Sequence, residues 1–575
     1  MSDTGFPQQP EELIRFYHNR VKHRPQEFAP GPGGMDWATQ PDPFRDFHGA
    51  PAVILPLAAD GLRVPFADLD RADGVEPRPL TMNTLAALFE LSLGLAAWKS
   101  ISGQRWALRC NPSSGNLHPT EGYLVMGGEP THGAPLPHSG VYHYNALNHT
   151  LEQRAELDPE EAAACLPEGT FLLGLSSIHW REEWKYGERA YRYCQLDVGH
   201  AIAGVRYAAA ALGWRVLALS EPADGDTLQL LGLDQSLPPA AAEVEVEAPD
   251  LLLWIDTRDA DDLADDPDLD PHPPSPERIA DLAGAAAGTR WQGDPNKLSG
   301  RHSHEWPIVA AVSRATFKGV TESYIAPPTE PPPMEATPTT QKAADLIRNR
   351  RSAQSFDANV SIDRDAFYRI LDRLVPRPGI APWDAQSWPL RLHPMLFVHR
   401  VRGLPAGLYA LPRSESGEMA LRESMRETFA WVKPDTCPES LNLYLLAAGD
   451  LREHAKVISC SQDIASDSAF SLGMLAEFDS GLEPGSHGGP HGYRQMYWEA
   501  GMLGQALYLG AEAEGVNGTG IGCFLDDLLH EILTLEGTRM QSLYHFTVGG
   551  GLEDDRLTTE PPYGHLSDRP KAEWI

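Results

Sequence analysis

A chain of 575 residues is too long for one hydrophobic core, so two domains with connections are expected. The formal net charge of −33 repels nucleic acid and anionic membrane surfaces, and no apolar run approaches the roughly 18–20 residues of a membrane span. The opening MSDTGFPQQPEEL lacks the charged-then-apolar pattern of a secretion signal, and the six cysteines (Cys110, Cys165, Cys194, Cys437, Cys460 and Cys523) are scattered without a CxxC pair. A cytoplasmic protein with neither a zinc site nor a disulfide framework is therefore expected.

Residues 1–80 read as an N-terminal extension, in which Arg20–Arg24 (RVKHR) is a basic cluster able to serve a phosphate. Thr81–Leu95 opens on a capping-type residue and runs as an amphipathic helix. Asn111–Tyr123 (NPSSGNLHPTEGY) places small residues, Pro and Asn just ahead of an apolar strand, Tyr123–Met126; such a loop brings backbone and hydroxyl groups close to a flat polar ring. Gly140-Val141-Tyr142 continues the strand pattern. A long helix follows Tyr191-Arg192, with Val198, Ile202, Val205, Ala209 and Leu212 at helical spacing and Gly213 as its stop. Asp256–Asp270 is an acidic, disordered-looking tract, and Ala326–Thr340 (APPTEPPPMEATPTT) a stiff, extended linker.

Beyond the linker, a short helix over Lys342–Asn349 ends in Arg350-Arg351-Ser352. Two guanidinium groups and a hydroxyl at one turn suit a phosphate, because Arg meets its oxygens in a fork. Ser361–Leu374 repeats the capped amphipathic helix, and Met395–Val398 with Gly407-Leu408-Tyr409 repeats the strands. A second long helix follows Tyr493-Arg494; Glu499, Gly501 and Gly515 stand in register with Asp197, Gly199 and Gly213. Gly518–Phe524 (GTGIGCF) then offers alternating glycines, which permit positive φ and close backbone approach to a ring. No strand-then-helix G-x-G-x-x-G unit indicates a Rossmann site. Arg556, after the apolar strand Leu543–Val548, is a further candidate phosphate ligand. The histidines His138, His143 and His149, and His487 and His491 in a candidate lid over Gly481–Gly492, show no helix-spaced metal pair, so no metal is expected. His302 and His304 read as polar packing or surface residues.

Strands and helices alternate in both halves of this weak repeat. The reading is an α+β fold, a gene-duplicated pseudo-dimer with halves over 81–255 and 341–575 joined by a connection over 256–340.

Taken together, P-S-S-x-N before a strand, R-R-S-x-x-x-F before a helix and G-x-G-I-G-x-F after a long helix resemble the motifs of the nitroreductase-like FMN oxidoreductases. The resemblance implies two tandem α+β sandwich domains with FMN between them. It assigns Arg350, Arg351, Ser352, Gly520, Ile521, Gly522 and Arg556 of the second half to the cofactor, with Pro112, Ser113, Ser114 and Asn116 of the first. Gln354 departs from the family, which often has a basic residue there. The reciprocal positions, Asp384–Pro389, Val216–Pro222 and Arg71–Arg78, lack the motifs, which implies one flavin per chain.

Trp184–Tyr193 (WKYGERAYRY) leading into Asp197, with Phe16-Tyr17-His18 and Lys22-His23, resembles the SagB/ThcOx-type dehydrogenases. That branch implies Lys185 and Tyr186 as a catalytic pair, Lys as base and Tyr polarising, in azoline-to-azole oxidation of a modified peptide while flavin takes the hydride. Their counterparts in the second half are His487 and Gly488, so the pair occurs once. Two other readings stand beside it: an NAD(P)H-dependent nitro or quinone reductase acting on a small molecule, and a non-catalytic scaffold that binds a modified peptide or partner enzyme.

Overall fold

Two long helices, Ala190–Ala210 and Gly492–Ala513, are buried along almost their whole length and lie against each other at the centre of the molecule. Both are apolar or small on nearly every face, as a helix enclosed on all sides must be. They meet at Gly199 and Gly501. A Cβ on Gly199 would overlap the backbone of Trp498, and one on Gly501 would overlap that of Leu196. Gly213 and Gly515 follow the helix ends with φ of +75° and +71°, a conformation that suits glycine. In this computed structural model the described residues are 5–127, 135–235, 244–259, 270–324, 332–335, 337–485, 487–572 and 574. Most of the expected acidic tract (260–269) and much of the expected linker (325–331 and 336) lie outside them.

A seven-stranded sheet packs against one helix. Its order is Ala52–Ile54, Thr150–Glu156, Gly140–Asn145, Thr120–Met126, Thr170–Ile178, Glu247–Asp256, Arg215–Leu219. A six-stranded sheet serves the other, in the order Tyr444–Ala448, Gly407–Ala410, Leu392–Val398, Phe470–Glu477, Met540–Gly549, Asn517–Ile521. All their ladders are antiparallel. The architecture is α+β. No helix among the described residues is long and apolar enough to cross a membrane.

Both ends of the chain cross to the other half. Thr558–Glu560 adds a strand to Leu95–Ile101, and Trp574 donates its indole N–H to the Ala58 carbonyl at 2.8 Å. The N-terminal helix Pro10–Arg20 meets the second half through Arg15 with Asp479, while Lys22 beyond it pairs with Asp527 at 2.6 Å. The basic cluster expected to serve a phosphate is therefore used internally: Arg20 pairs with Glu188 at 2.5 Å, and Arg24 approaches Asp527 at 3.8 Å. The expected connection over 256–340 holds two helices in its described part, Pro276–Ala287 and Pro307–Ala315, both packed on the first half.

The two helix starts read from capping residues differ. Thr81 caps Met82–Ser92 through a reciprocal bond with Thr84. Ser361 does not cap its helix: a two-residue strand, Ile362–Asp363, intervenes, and the helix Arg364–Asp372 begins after Asp363 without a side-chain cap.

His143, fully buried, lies between Glu152 (Nδ1 to Oε2, 2.9 Å) and Glu121 (Nε2 to Oε2, 3.1 Å). Burial alone would lower its pKa, but hydrogen bonds and charge from the two carboxylates raise it to about 9. Its stabilising contribution is therefore complete below the unfolded value near 6.5 and is lost as pH rises through about 9. Urea unfolding should show a loss on the order of 2–3 kcal/mol across that window. A His143→Gln variant should lack this part of the slope; an identical slope would show that other groups cause it.

Candidate active site

The P-S-S-G-N segment turns sharply at Ser114–Asn116, with Gly115 at φ +65° and Asn116 at φ +56°. The central helix holds this turn. Ser114 donates its backbone N–H and its hydroxyl to Asp197, each at 3.2 Å, while Ser113 Oγ accepts from the His118 N–H at 2.8 Å. Burial raises the Asp197 carboxyl to about 7, and the donors from Ser113 and Ser114 oppose that shift.

Across a cavity of about 670 Å³ stands the Arg350–Ser352 turn of the second half. Ser352 bridges to Gly518 on the outer strand Asn517–Ile521, and the Ala353 N–H donates to the Gly518 carbonyl at 3.1 Å. Arg351 is committed to backbone, donating to the carbonyls of Arg348 (2.6 Å), Arg350 (2.7 Å) and Ala96 (3.2 Å). Burial, then the neighbouring Arg350 charge, lowers it to about 10. Arg350 is buried above the Tyr508 ring at 4.7 Å, makes one long bond to the Arg109 carbonyl (3.4 Å), and leaves its Nε without a partner. Lys99, from the first half, lines the same end; burial and then Arg351 lower its pKa. Among the described residues none of these three cations has a carboxylate within 4.0 Å. Glu512 and Glu553, which also line the cavity, act on these cations only from beyond ion-pair distance, so the cluster suits an anion.

Gly518 and Gly520 lie in that outer strand and Gly522 just beyond its end, and none of the three is at positive φ. Their smallness serves packing instead. A Cβ on Gly520 would overlap the Tyr544 hydroxyl, one on Gly522 the Tyr193 ring, and one on Gly518 would stand 2.7 Å from Phe546. The cavity wall is thus glycine backbone over aromatic rings.

Lys185 and Tyr186 end the helix His179–Tyr186 and face the P-S-S-G-N turn. A Cβ on Gly115 would stand 2.7 Å from Tyr186 Oη and 2.8 Å from Lys185 Nζ. Tyr186 lines the cavity beside Tyr193, with ring centroids 4.4 Å apart, and burial raises its phenol well above 10. One turn earlier Glu182 is fully buried, and both its carboxylate oxygens lack a partner. Burial, reinforced by Asp197, holds its pKa far up, so Glu182 keeps its proton.

Pro112, Ser113, Ser114, Asn116, Arg350, Arg351, Ser352, Gly520, Ile521 and Gly522 thus line one cavity with Tyr186, and Lys185 adjoins it through Gly115. Arg556 does not join them: its side chain is 78% exposed and pairs with Asp554 at 2.7 Å. Lys99, Glu182 and Tyr508 carry no spacing signal; only Asp197 stood out beforehand, through the repeat. At the reciprocal place, Asp384 is bound by Arg206 (2.7 Å), and Asp224 by Arg494 (2.7 Å). No group of three or more metal-ligating side chains occurs among the described residues.

The fold is α+β, and residues 74–241 match the model described as the Nitroreductase family. The chain carries a nitroreductase-family fold over that part of its length. Over nearly all of it, the chain is similar to a protein from Anabaena variabilis described as a nitroreductase: 19% identity, 94% of this chain and 99% of that one covered, TM-score 0.61, a likeness of fold. Looser matches are nitroreductase-type proteins from Ralstonia eutropha (15% identity, 41% and 97% covered, TM-score 0.26) and from Exiguobacterium sibiricum, the latter solved with FMN (15%, 42% and 100%, TM-score 0.23). No curated protein matches the chain.

Proposed function

We propose that this chain is an FMN-dependent oxidoreductase, folded as an intramolecular pseudo-dimer of halves 81–255 and 341–575, with one flavin site between them. The observation that carries the reading is the cavity itself. One end offers Arg350, Arg351 and Lys99, none of them in an ion pair, and the unpartnered Arg350 Nε suits a phosphate oxygen. The other end offers small residues from both halves, Ser113, Ser114 and Asn116 facing Gly520 and Gly522, with room for a flat ring. When bound, FMN supplies hydride acceptance and donation.

The pseudo-dimer is supported by matched ion pairs. Arg192 binds Asp526 and Arg494 binds Asp224, counterparts at one offset along the chain, and Tyr191 and Tyr493 stack with rings 2° from parallel. Single occupancy is supported by the reciprocal segments, Asp384–Pro389 and Val216–Pro222, which lack the motifs and whose Asp384 is bound by Arg206 at 2.7 Å.

For the reaction, reduction of a flat acceptor such as a quinone or nitroaromatic at the expense of NAD(P)H is the reading that the family match favours. Tyr186 and Tyr193 would form an aromatic wall for such a ring, and neutral Glu182 and Asp197 would hold protons nearby. Azoline oxidation is a second reading, favoured by Lys185 Nζ and Tyr186 Oη converging on Gly115. The test is direct. Purified protein should show flavin absorption, saturate at one FMN per chain, and consume NAD(P)H when given a quinone. No flavin bands after FMN addition would overturn the enzyme reading, and two FMN per chain would overturn the single site. Lys185→Ala should retain FMN and slow azoline oxidation about 100-fold or more; an unchanged rate would remove Lys185 from that chemistry.

A further inference from the structure

Cys460 and Cys523, distant in sequence, come together at the cavity wall with their Sγ atoms 2.9 Å apart. Cys523 ends the glycine strand's motif and lines the cavity; Cys460 sits behind it, in the turn after the helix Arg452–Ile458. Both are half-buried free thiols. The other half-buried cysteine, Cys437, has no such partner thiol, and Cys110 and Cys165 are buried and pushed up to about 12.

The surroundings separate the roles of the two sulfurs. His23 Nδ1 accepts from the Ala29 N–H at 3.0 Å, so its proton sits on Nε2, and the imidazole lowers the pKa of the neighbouring Cys523 thiol. The Arg189 guanidinium reaches the same turn, donating to the Gly522 carbonyl at 2.9 Å. Asp526, the nearby anion, is neutralised by Arg189 (3.1 Å) and Arg192 (2.7 Å). The close contact with Cys460, helped by His23 and Arg189, lowers Cys523 to about 5 against burial and raises Cys460. Cys523 therefore carries the thiolate and Cys460 keeps the proton.

We infer that Cys523 and Cys460 form a redox-active dithiol that reacts with low-molecular-weight disulfides entering through the cavity. Cys523 thiolate attacks one sulfur of the disulfide RSSR, forming a protein–SR mixed disulfide and releasing RS⁻. Cys460 then attacks the Cys523 sulfur, its proton passing to the departing sulfur, and the second thiol leaves as RSH while the Cys460–Cys523 bond forms. Two protein thiols are oxidised and one disulfide is reduced to two thiols. Because FMN is proposed for the same cavity, the reaction is assigned to the flavin-free chain.

The test uses the full chain, with oxidised glutathione as probe and peptide mapping by mass spectrometry. Wild type should form the Cys460–Cys523 disulfide, reversed by excess reduced glutathione. Cys460→Ser should instead trap glutathione on Cys523, and Cys523→Ser should leave Cys460 unmodified. His23→Ala, which keeps both thiols, should move the pH at which Cys523 becomes reactive upward by about one unit, read from the pH dependence of its modification. Two outcomes would overturn the inference: Cys523 unmodified in folded wild type, or glutathione retained on Cys523 equally in wild type and Cys460→Ser.

Discussion

Arg350→Ala should weaken FMN binding by about 10- to 100-fold, since a hydrogen bond to a charged group contributes roughly 1.5–3 kcal/mol. Arg350 is singled out because its donors are uncommitted: one long bond to the Arg109 carbonyl and an unpartnered Nε. Arg351, one residue on, spends its donors on three backbone carbonyls. Arg351→Ala should therefore act mainly on the turn, lowering thermal stability as well as affinity. Absorbance or fluorescence titration of flavin-free protein distinguishes the two, with Arg350→Lys intermediate because Lys keeps the charge but loses the fork. Wild-type affinity in Arg350→Ala would move the phosphate away from this turn.

The second large effect concerns stability. Asp526 is fully buried and accepts from Arg192 (2.7 Å), Arg189 (3.1 Å) and the His23 N–H (2.9 Å), joining the N-terminal segment and both halves. Asp526→Ala leaves two guanidinium groups buried without a counter-charge, which costs about 3–5 kcal/mol. The loss should appear as a lower Tm in calorimetry, and Asp526→Asn should lose less because it still accepts hydrogen bonds. Burial opposes the charged form, but the two guanidinium groups hold the carboxyl well below the usual range. Its contribution is then complete above about pH 4 and is lost only as pH falls through the depressed folded value. The difference between variant and wild type should accordingly be flat from pH 5 to neutrality; a Tm within a degree of wild type would show the pair to be dispensable.

Much of the fold was legible because its signals are local. The spacing of Val198, Ile202 and Val205 predicts a helix wherever the segment lies, and Gly213 and Gly515 end both long helices as read. Misreadings arose where tertiary contacts chose among local options. GTGIGCF reads as a loop on glycine content alone, yet pairing with Met540–Gly549 makes it a strand, and the rings of Tyr544 and Tyr193 explain its glycines. RVKHR and Arg556 read as anion ligands because nothing in their neighbourhood in sequence reveals Glu188, Asp527 or the exposed place of Arg556 beside Asp554.

By itself, the sequence determined many of the elements and the residue types able to meet a phosphate and a flat ring, since propensity, periodicity and side-chain chemistry belong to short segments. Only the tertiary structure decided which of those residues share a cavity, that Lys99 joins the two arginines, that Glu182 keeps its proton, and that Cys460 meets Cys523. The physical reason is the same in each case. Charge, protonation and reactivity depend on burial and on partners brought from far along the chain, and folding alone sets both.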